Sequence, residues 1–247
     1  MKYFIDEEFL EGTQKTFFGK TKPTIDLISI GMVDENGREF YAISNEFNLK
    51  EAWNRWDKKT CCNIPEMCGS HIRRECEGFK REYWIRDNVL RPIYDELLRK
   101  ERYAREYHSH LIEPFTYKTM KTLIKWHGKS LATIANDIAA FIYGDDCGGS
   151  GMSAIEMATK YEILDKSKEP EFYGYYSGYD WVAFCWIFGK MIQLPKGFPM
   201  YCKDLKQMMD EKGLTKEWKK INCPDPDGQH NALVDAKWNL KLFNLIK

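Results

Sequence analysis

Residues 1–11 read MKYFIDEEFLE: an apolar run, Tyr3-Phe4-Ile5, that passes directly into the acids Asp6, Glu7 and Glu8. Aromatic and β-branched residues in that order suit a buried strand. Side chains of a strand alternate between its two faces, so Asp6 and Glu8 project together. Two carboxylates side by side at the end of a core strand repel each other and are costly to desolvate. Such a pair either ends at an exposed loop or receives a divalent cation.

Working outward, Gly12 to Pro23 reads as a polar loop, and Ile25 to Asp34 (IDLISIGMVD) as a second, nearly fully buried strand. Glu35-Asn36-Gly37 has the chemistry of a hairpin turn, and Phe40 to Ser44 returns as a third strand. These three strands form an antiparallel meander. From Asn48 to Gly128 the pattern is mostly helical, with Ile85, Val89, Ile93 and Leu97 forming a stripe in Tyr83 to Arg99 despite Pro92. Ser130 to Tyr143 is a helix with Ser130 as N-cap, and Gly144 to Gly151 breaks the pattern. Glu171 to Tyr176 is a short strand, Gly178 to Ile192 a helix carrying Asp180 in its first turn, and Phe198 to Lys203 another short strand. Helices follow at Leu205 to Lys212 and Asn231 to Ile246, with a loop at Asn222 to Gly228 between them. The order predicts an α/β fold: a mixed sheet of three antiparallel strands plus two further strands, flanked by helices.

Three further residues have chemistry to offer. Asp180 follows a predicted strand, where an α/β sheet opens its site, although an acid in a helix's first turn also serves the helix dipole. His230 and Asp235 stand in GQHNALVDAKWNL, where a loop histidine overhangs a helix-borne carboxylate. The alternative is a capping histidine and a solvent-facing acid.

Composition adds bounds. Lys plus Arg equals Asp plus Glu at 37 each, so overall charge does not point to a polyanion. The distribution is uneven: residues 50–129 hold 18 Lys or Arg against 12 Asp or Glu, and the rest 19 against 25. A basic middle beside an acidic remainder fits a polyanion held near a metal site. Acid interrupts the N-terminal apolar run before it reaches the length of a secretory signal. The longest apolar run, Trp181 to Gly189, is too short to span a membrane. Eight cysteines without a secretory signal are expected as reduced thiols, with the cytoplasm as the default location. Cys61, Cys62, Cys68, His71 and Cys76 are zinc-ligating types, but no Cys-x-x-Cys pair occurs, and partly buried thiols are the expectation. Trp53, Trp56, Arg73, Arg74, Lys80, Arg81, Tyr83 and Trp84 interleave bases and aromatics, either to grip a single strand or as a solvated, aromatic-packed face.

Taken together, Asp6-x-Glu8, Asp180 and His230-x-Ala232-Leu233-x-Asp235-Ala236 resemble the DEDDh 3′–5′ exonucleases of the DnaQ-like group, and more closely their RNase AS-type exoribonucleases. The likeness runs through residues 1–44, Trp84 to Leu90, Tyr173 to Gly189, Pro199 to Leu205 and His230 to Leu240. It implies one exonuclease domain with a ribonuclease H-like fold and insertions at about 48–81, 99–129 and 144–169. It also implies two Mg²⁺ or Mn²⁺ ions, about 4 Å apart in such nucleases. Asp6 would bridge them, with Glu8 and Asp235 on the ion nearer the nucleophile and Asp180 on the second through water. His230, a side chain type that titrates near neutrality, would take a proton from the attacking water. Phe9 and Leu10 would wedge against a terminal base, unless they are core. Single-stranded RNA is the expected substrate; single-stranded DNA, or a silent nucleic-acid-binding module, are the alternatives. A homodimer is implied by the resemblance alone.

Overall fold

This computed structural model describes residues 1–15, 19, 21–60, 79–104, 114–143 and 169–247. They fall into two compact units, one of Met1–Phe47 with Thr122–Lys247 and one of Asn48–Lys121.

The first unit is built on a five-stranded sheet of β1 (Lys2–Lys15), β2 (Thr21–Asp34), β3 (Glu39–Ile43), β6 (Glu171–Gly174) and β7 (Lys203–Asp204), in the order β3-β2-β1-β6-β7. The pairs β3-β2 and β2-β1 are antiparallel, whereas β1-β6 and β6-β7 are parallel. Alternation along β1 splits the core in two. Tyr3 and Ile5, with Ile30 and Met32 of β2, pack under α4 (Leu131–Tyr143) and α5 (Gly178–Ile187). Phe4, with Val33 and Tyr173, packs under α6 (Leu205–Glu211) and α8 (Ala232–Ile246). The result is an α/β arrangement with helices on both faces of a mixed sheet.

The second unit contains α1 (Leu49–Asn54), an antiparallel ribbon of β4 (Asp57–Thr60) and β5 (Phe79–Glu82), a π-turn at Arg86–Leu90 and α2 (Arg91–Ala104). α3 (Tyr117–His127) and α7 (Lys216–Asn222) complete the described helices. No helix among the described residues is long and apolar enough to cross a membrane.

Several boundaries depart from the sequence expectations. The polar loop at 12–23 is mostly strand, because β1 and β2 stay paired out to Lys15 and Thr21. Their ladder satisfies the backbone whatever the side chains are. The strand expected at 198–203 shrinks to Lys203–Asp204; Pro199 has no N–H for a ladder, and Phe198 turns into the core instead. The helix from Gly178 stops at Ile187, ahead of Gly189 at φ +98°, and Met191–Gln193 forms a separate 3₁₀ turn. In the 83–99 stretch Trp84–Ile85 lead into the π-turn at Arg86–Leu90, a wider turn that accommodates the missing N–H of Pro92. The β4-β5 ribbon lies in a stretch expected to be helical, and α7 was not anticipated. The cysteine-rich segment with its candidate zinc ligands Cys61, Cys62, Cys68, His71 and Cys76, together with Arg73, Arg74 and the break at 144–151, lies outside the described residues.

Candidate active site

β1 and β6 run parallel but pair only from Lys2↔Glu171 to Phe4↔Tyr173. No pairing is made beyond Phe4, and the acids follow at the C-terminal end of this parallel pair, where parallel sheets place their sites. Two groups of β1 beyond that pairing are taken up by side chains. The Ile5 carbonyl accepts a buried 2.8 Å hydrogen bond from Nδ2 of Asn239 on α8. The Glu7 backbone N–H donates to the carboxylate of Asp180. The chain is thereby held on either side of Asp6.

Asp6, Glu8 and Asp235 each offer an oxygen within 4.8 Å of the others. What brings α8 so close is Gly31, the β2 partner of Asp6. A Cβ at Gly31 would stand 2.2 Å from the carbonyl carbon and oxygen of Ala232 and 2.3 Å from the Leu233 nitrogen. The first turn of α8 therefore rests on bare backbone. Asn231 caps that turn through Oδ1, accepting from the N–H groups of Leu233 and Val234. Between Glu8 and Phe9 the β1-β2 register slips, leaving Ile28 as an extra residue directly beside the acids.

Asp180 comes from the first turn of α5 and is 9% exposed. The preceding loop is held by Asp204, which caps α6 with Oδ1 (2.7 Å to the Lys206 N–H) and accepts the Ser177 N–H on Oδ2 at 3.0 Å. His230 donates its backbone N–H to Asp235 Oδ2 at 2.8 Å, and its Nδ1 lies 3.8 Å from Glu8 Oε1. Among the described residues the non-glycine positive φ angles are Tyr176 at 56° and His230 at 67°, one in each loop that delivers an acid. Such strain is held where the surroundings over-determine it.

Burial raises every carboxyl of the cluster, and repulsion from its other members adds to this at Asp6 and Glu8. Asp6 is pushed well above the usual range by burial, then by Asp180, Asp235 and Glu8. Glu8 is pushed up to about 8 by burial, Asp235 and Asp180. Burial takes Asp180 to about 7, opposed by the backbone N–H groups it accepts. Asp235 is raised by burial, against the His230 N–H. Glu7 points to the opposite face, 4% exposed, and neither carboxyl oxygen has a hydrogen-bond partner among the described residues. Burial and Asp180 hold it in the protonated direction. Phe9 is half-buried and meets Tyr179, 55% exposed, edge to face at 6.0 Å. Leu10 is fully enclosed, so of the two only Phe9 reaches a surface. Asn239, Asp204, Gly31 and Tyr179 had no distinguishing sequence signal; each acts through a partner distant in the chain.

No protein-family model matches the chain. Along its whole length it is 27% identical to two proteins named 3′-5′ exoribonuclease, from Mycobacterium tuberculosis strains CDC 1551 / Oshkosh and ATCC 25618 / H37Rv. The alignment takes in 93% of each relative.

The role of Asn239 is open to test. Asn239→Leu strands the Ile5 carbonyl, and a buried unsatisfied carbonyl costs roughly 1–3 kcal/mol. Chemical denaturation is expected to show a loss of that size; a variant as stable as the parent would mean that the hydrogen bond contributes nothing net.

Proposed function

We propose that this chain is a divalent-cation-dependent 3′–5′ exonuclease acting on single-stranded RNA, of the DEDDh type on a ribonuclease H-like sheet. The observation that carries the reading is the meeting of the Asp6, Glu8 and Asp235 carboxylates, with Asp180 near enough to raise Asp6 and His230 beside Glu8. The full-length similarity to exoribonucleases supports RNA as the substrate class.

The residues fit a hard cation. All the donors are carboxylate oxygens, which favour Mg²⁺ or Mn²⁺ over zinc, and the repulsion that lifts their pKa values is what a cation relieves. Asp6, Glu8 and Asp235 would hold one ion, with Asp6 and Asp180 reaching a second. When bound, such ions neutralise charge on the phosphate under attack and acidify the water that attacks it. His230 accepts the proton from that water. Its position is maintained by the backbone bond to Asp235 and by Glu8 beside Nδ1. Phe9 and the exposed Tyr179 flank the acids and offer aromatic surface to the terminal base.

A time course on 5′-labelled single-stranded RNA and matching DNA, with Mg²⁺, Mn²⁺ or EDTA, tests the reading. A ladder shortening from the 3′ end of RNA, abolished by EDTA, is expected. Laddering of DNA alone would keep the chemistry and overturn the substrate, and intact strands throughout would overturn the enzyme.

The electrostatics give a separate outcome. A carboxyl whose folded pKa is raised binds more protons folded than unfolded between the two values, so stability falls as pH rises through that window. With Asp180 near 7 and Glu8 near 8, the melting temperature in EDTA is expected to fall between pH 5 and pH 8. Mg²⁺ is expected to raise it more at pH 8 than at pH 5.5, because binding needs the ionised carboxylates. A melting temperature in EDTA that rises steadily from pH 5 to pH 8 would contradict this account of the acids.

A further inference from the structure

We propose that the second unit carries a separate binding surface for single-stranded nucleic acid, centred on Trp56 and Arg81. The choice of RNA as its ligand rests on the exoribonuclease reading. The surface itself is argued from the arrangement of bases and aromatics within Asn48–Lys121.

Trp56 immediately precedes β4, and Arg81 lies in the opposing strand β5. The Arg81 guanidinium stacks on the Trp56 ring, 4.6 Å from its centroid, and 40% of Trp56 stays exposed. Arg81 is exposed too. The same arrangement recurs close by: Arg86 lies 3.9 Å from the ring centroid of Tyr83 and 5.8 Å from that of Trp53, and Arg91 lies 4.6 Å from that of Phe115. Arg86 and Arg91 also have carboxylate neighbours, Asp87 at 2.9 Å and Asp95 at 3.9 Å, so their charge is partly answered locally. Trp84, 39% exposed, adds another indole in the same run of sequence.

The ribbon's backbone register runs from Asp57↔Glu82 through Lys58↔Arg81, which sets Arg81 one pair along from the end next to Trp56. The whole unit holds 16 Lys or Arg against 12 Asp or Glu, opposite in sign to the rest of the chain.

A guanidinium already stacked on an indole is held in place, so a phosphate can take its N–H edge with little further loss of rotamer freedom. The exposed indole surface beside it offers a base a place to stack. Alternating cation and aromatic groups suit a flexible single strand, whose bases turn outward, rather than a duplex, whose bases are already stacked.

The test uses the full chain in EDTA, so that the strand stays intact, with fluorescence anisotropy of a 5′-fluorescein-labelled 20-nucleotide RNA. Trp56→Ala and Arg81→Ala are each expected to weaken binding about tenfold. Arg81→Ala should also reduce the slope of log affinity against log salt by about 0.7, while Trp56→Ala leaves the slope in place. Trp56→Phe, which keeps a stacking ring, should retain most of the affinity. With Mg²⁺ present, turnover of thymidine 5′-monophosphate p-nitrophenyl ester, too small to reach a second surface, should be the same in all three variants and the parent. Unchanged RNA affinity in the alanine variants overturns the proposal. So does an RNA duplex that binds the parent as tightly as the single strand. A parent that binds and discriminates as stated but hydrolyses neither RNA nor ester leaves this surface standing and removes the nuclease reading instead.

Discussion

Asp6→Asn is expected to lower RNA hydrolysis by about 10³-fold or more, equivalent to roughly 4 kcal/mol of transition-state stabilisation. The protein should be at least as stable as the parent in EDTA. Both halves follow from where Asp6 stands. Its carboxylate meets those of Glu8 and Asp235, and Asp180, Asp235, Glu8 and Glu7 all raise its pKa. Charge placed there against such opposition costs stability, a cost that the cation of the proposed reading would offset. An amide of the same shape removes the repulsion and keeps a neutral oxygen, but it would hold a divalent cation far less well than a carboxylate. Steady-state kinetics on RNA and a thermal melt in EDTA read both effects. Activity within tenfold of the parent would remove Asp6 from the chemistry. A large drop in melting temperature would mean that the lost activity reports unfolding.

Gly31→Ala is expected to be nearly as damaging to activity without touching an acid. The added methyl carbon would sit 2.2 Å from the backbone of Ala232, and neither side of that contact is a flexible side-chain end. The first turn of α8 must move away from β2, carrying Asp235 and the His230 N–H that Asp235 holds. Overpacking of this kind costs about 1–3 kcal/mol, and a shift of about 1 Å in a catalytic group can cost about 10²-fold in rate. The distinguishing result is a protein that still folds, with a lowered melting temperature, and that needs far more Mg²⁺ for whatever activity remains. Parent-like kinetics and stability would show that α8 tolerates displacement and that the close approach at Gly31 is incidental.

Legibility from sequence differs by element. The meander was readable because Tyr3 to Ile5, Ile25 to Asp34 and the Asn36-Gly37 turn carry their signals within a few residues. The helix at Leu131–Tyr143 was readable for the same reason, with Ser130 Oγ accepting the Thr133 N–H as an N-cap should. The β4-β5 ribbon was not, since four-residue strands of mostly charged residues show no apolar alternation. Phe9 and Leu10 look alike in sequence as apolar neighbours of the acids; their different burial, half-buried against enclosed, comes from the strand pleat and the helices over each face.

What the sequence alone determined is the set of local instructions: which stretches pair or coil, that Asp6 and Glu8 share a face, and that Asp180, His230 and Asp235 start or precede helices. These follow from side-chain periodicity and capping, which act over one or two turns of chain. What only the tertiary structure decided is proximity. The β1-β6 pairing stops at Phe4 and leaves the backbone groups that Asn239 and Asp180 take, Asp204 ties the Asp180 loop to α6, and the absent side chain at Gly31 lets α8 bring Asp235 to the acids. Each of these joins residues remote in sequence, through packing that no local pattern encodes.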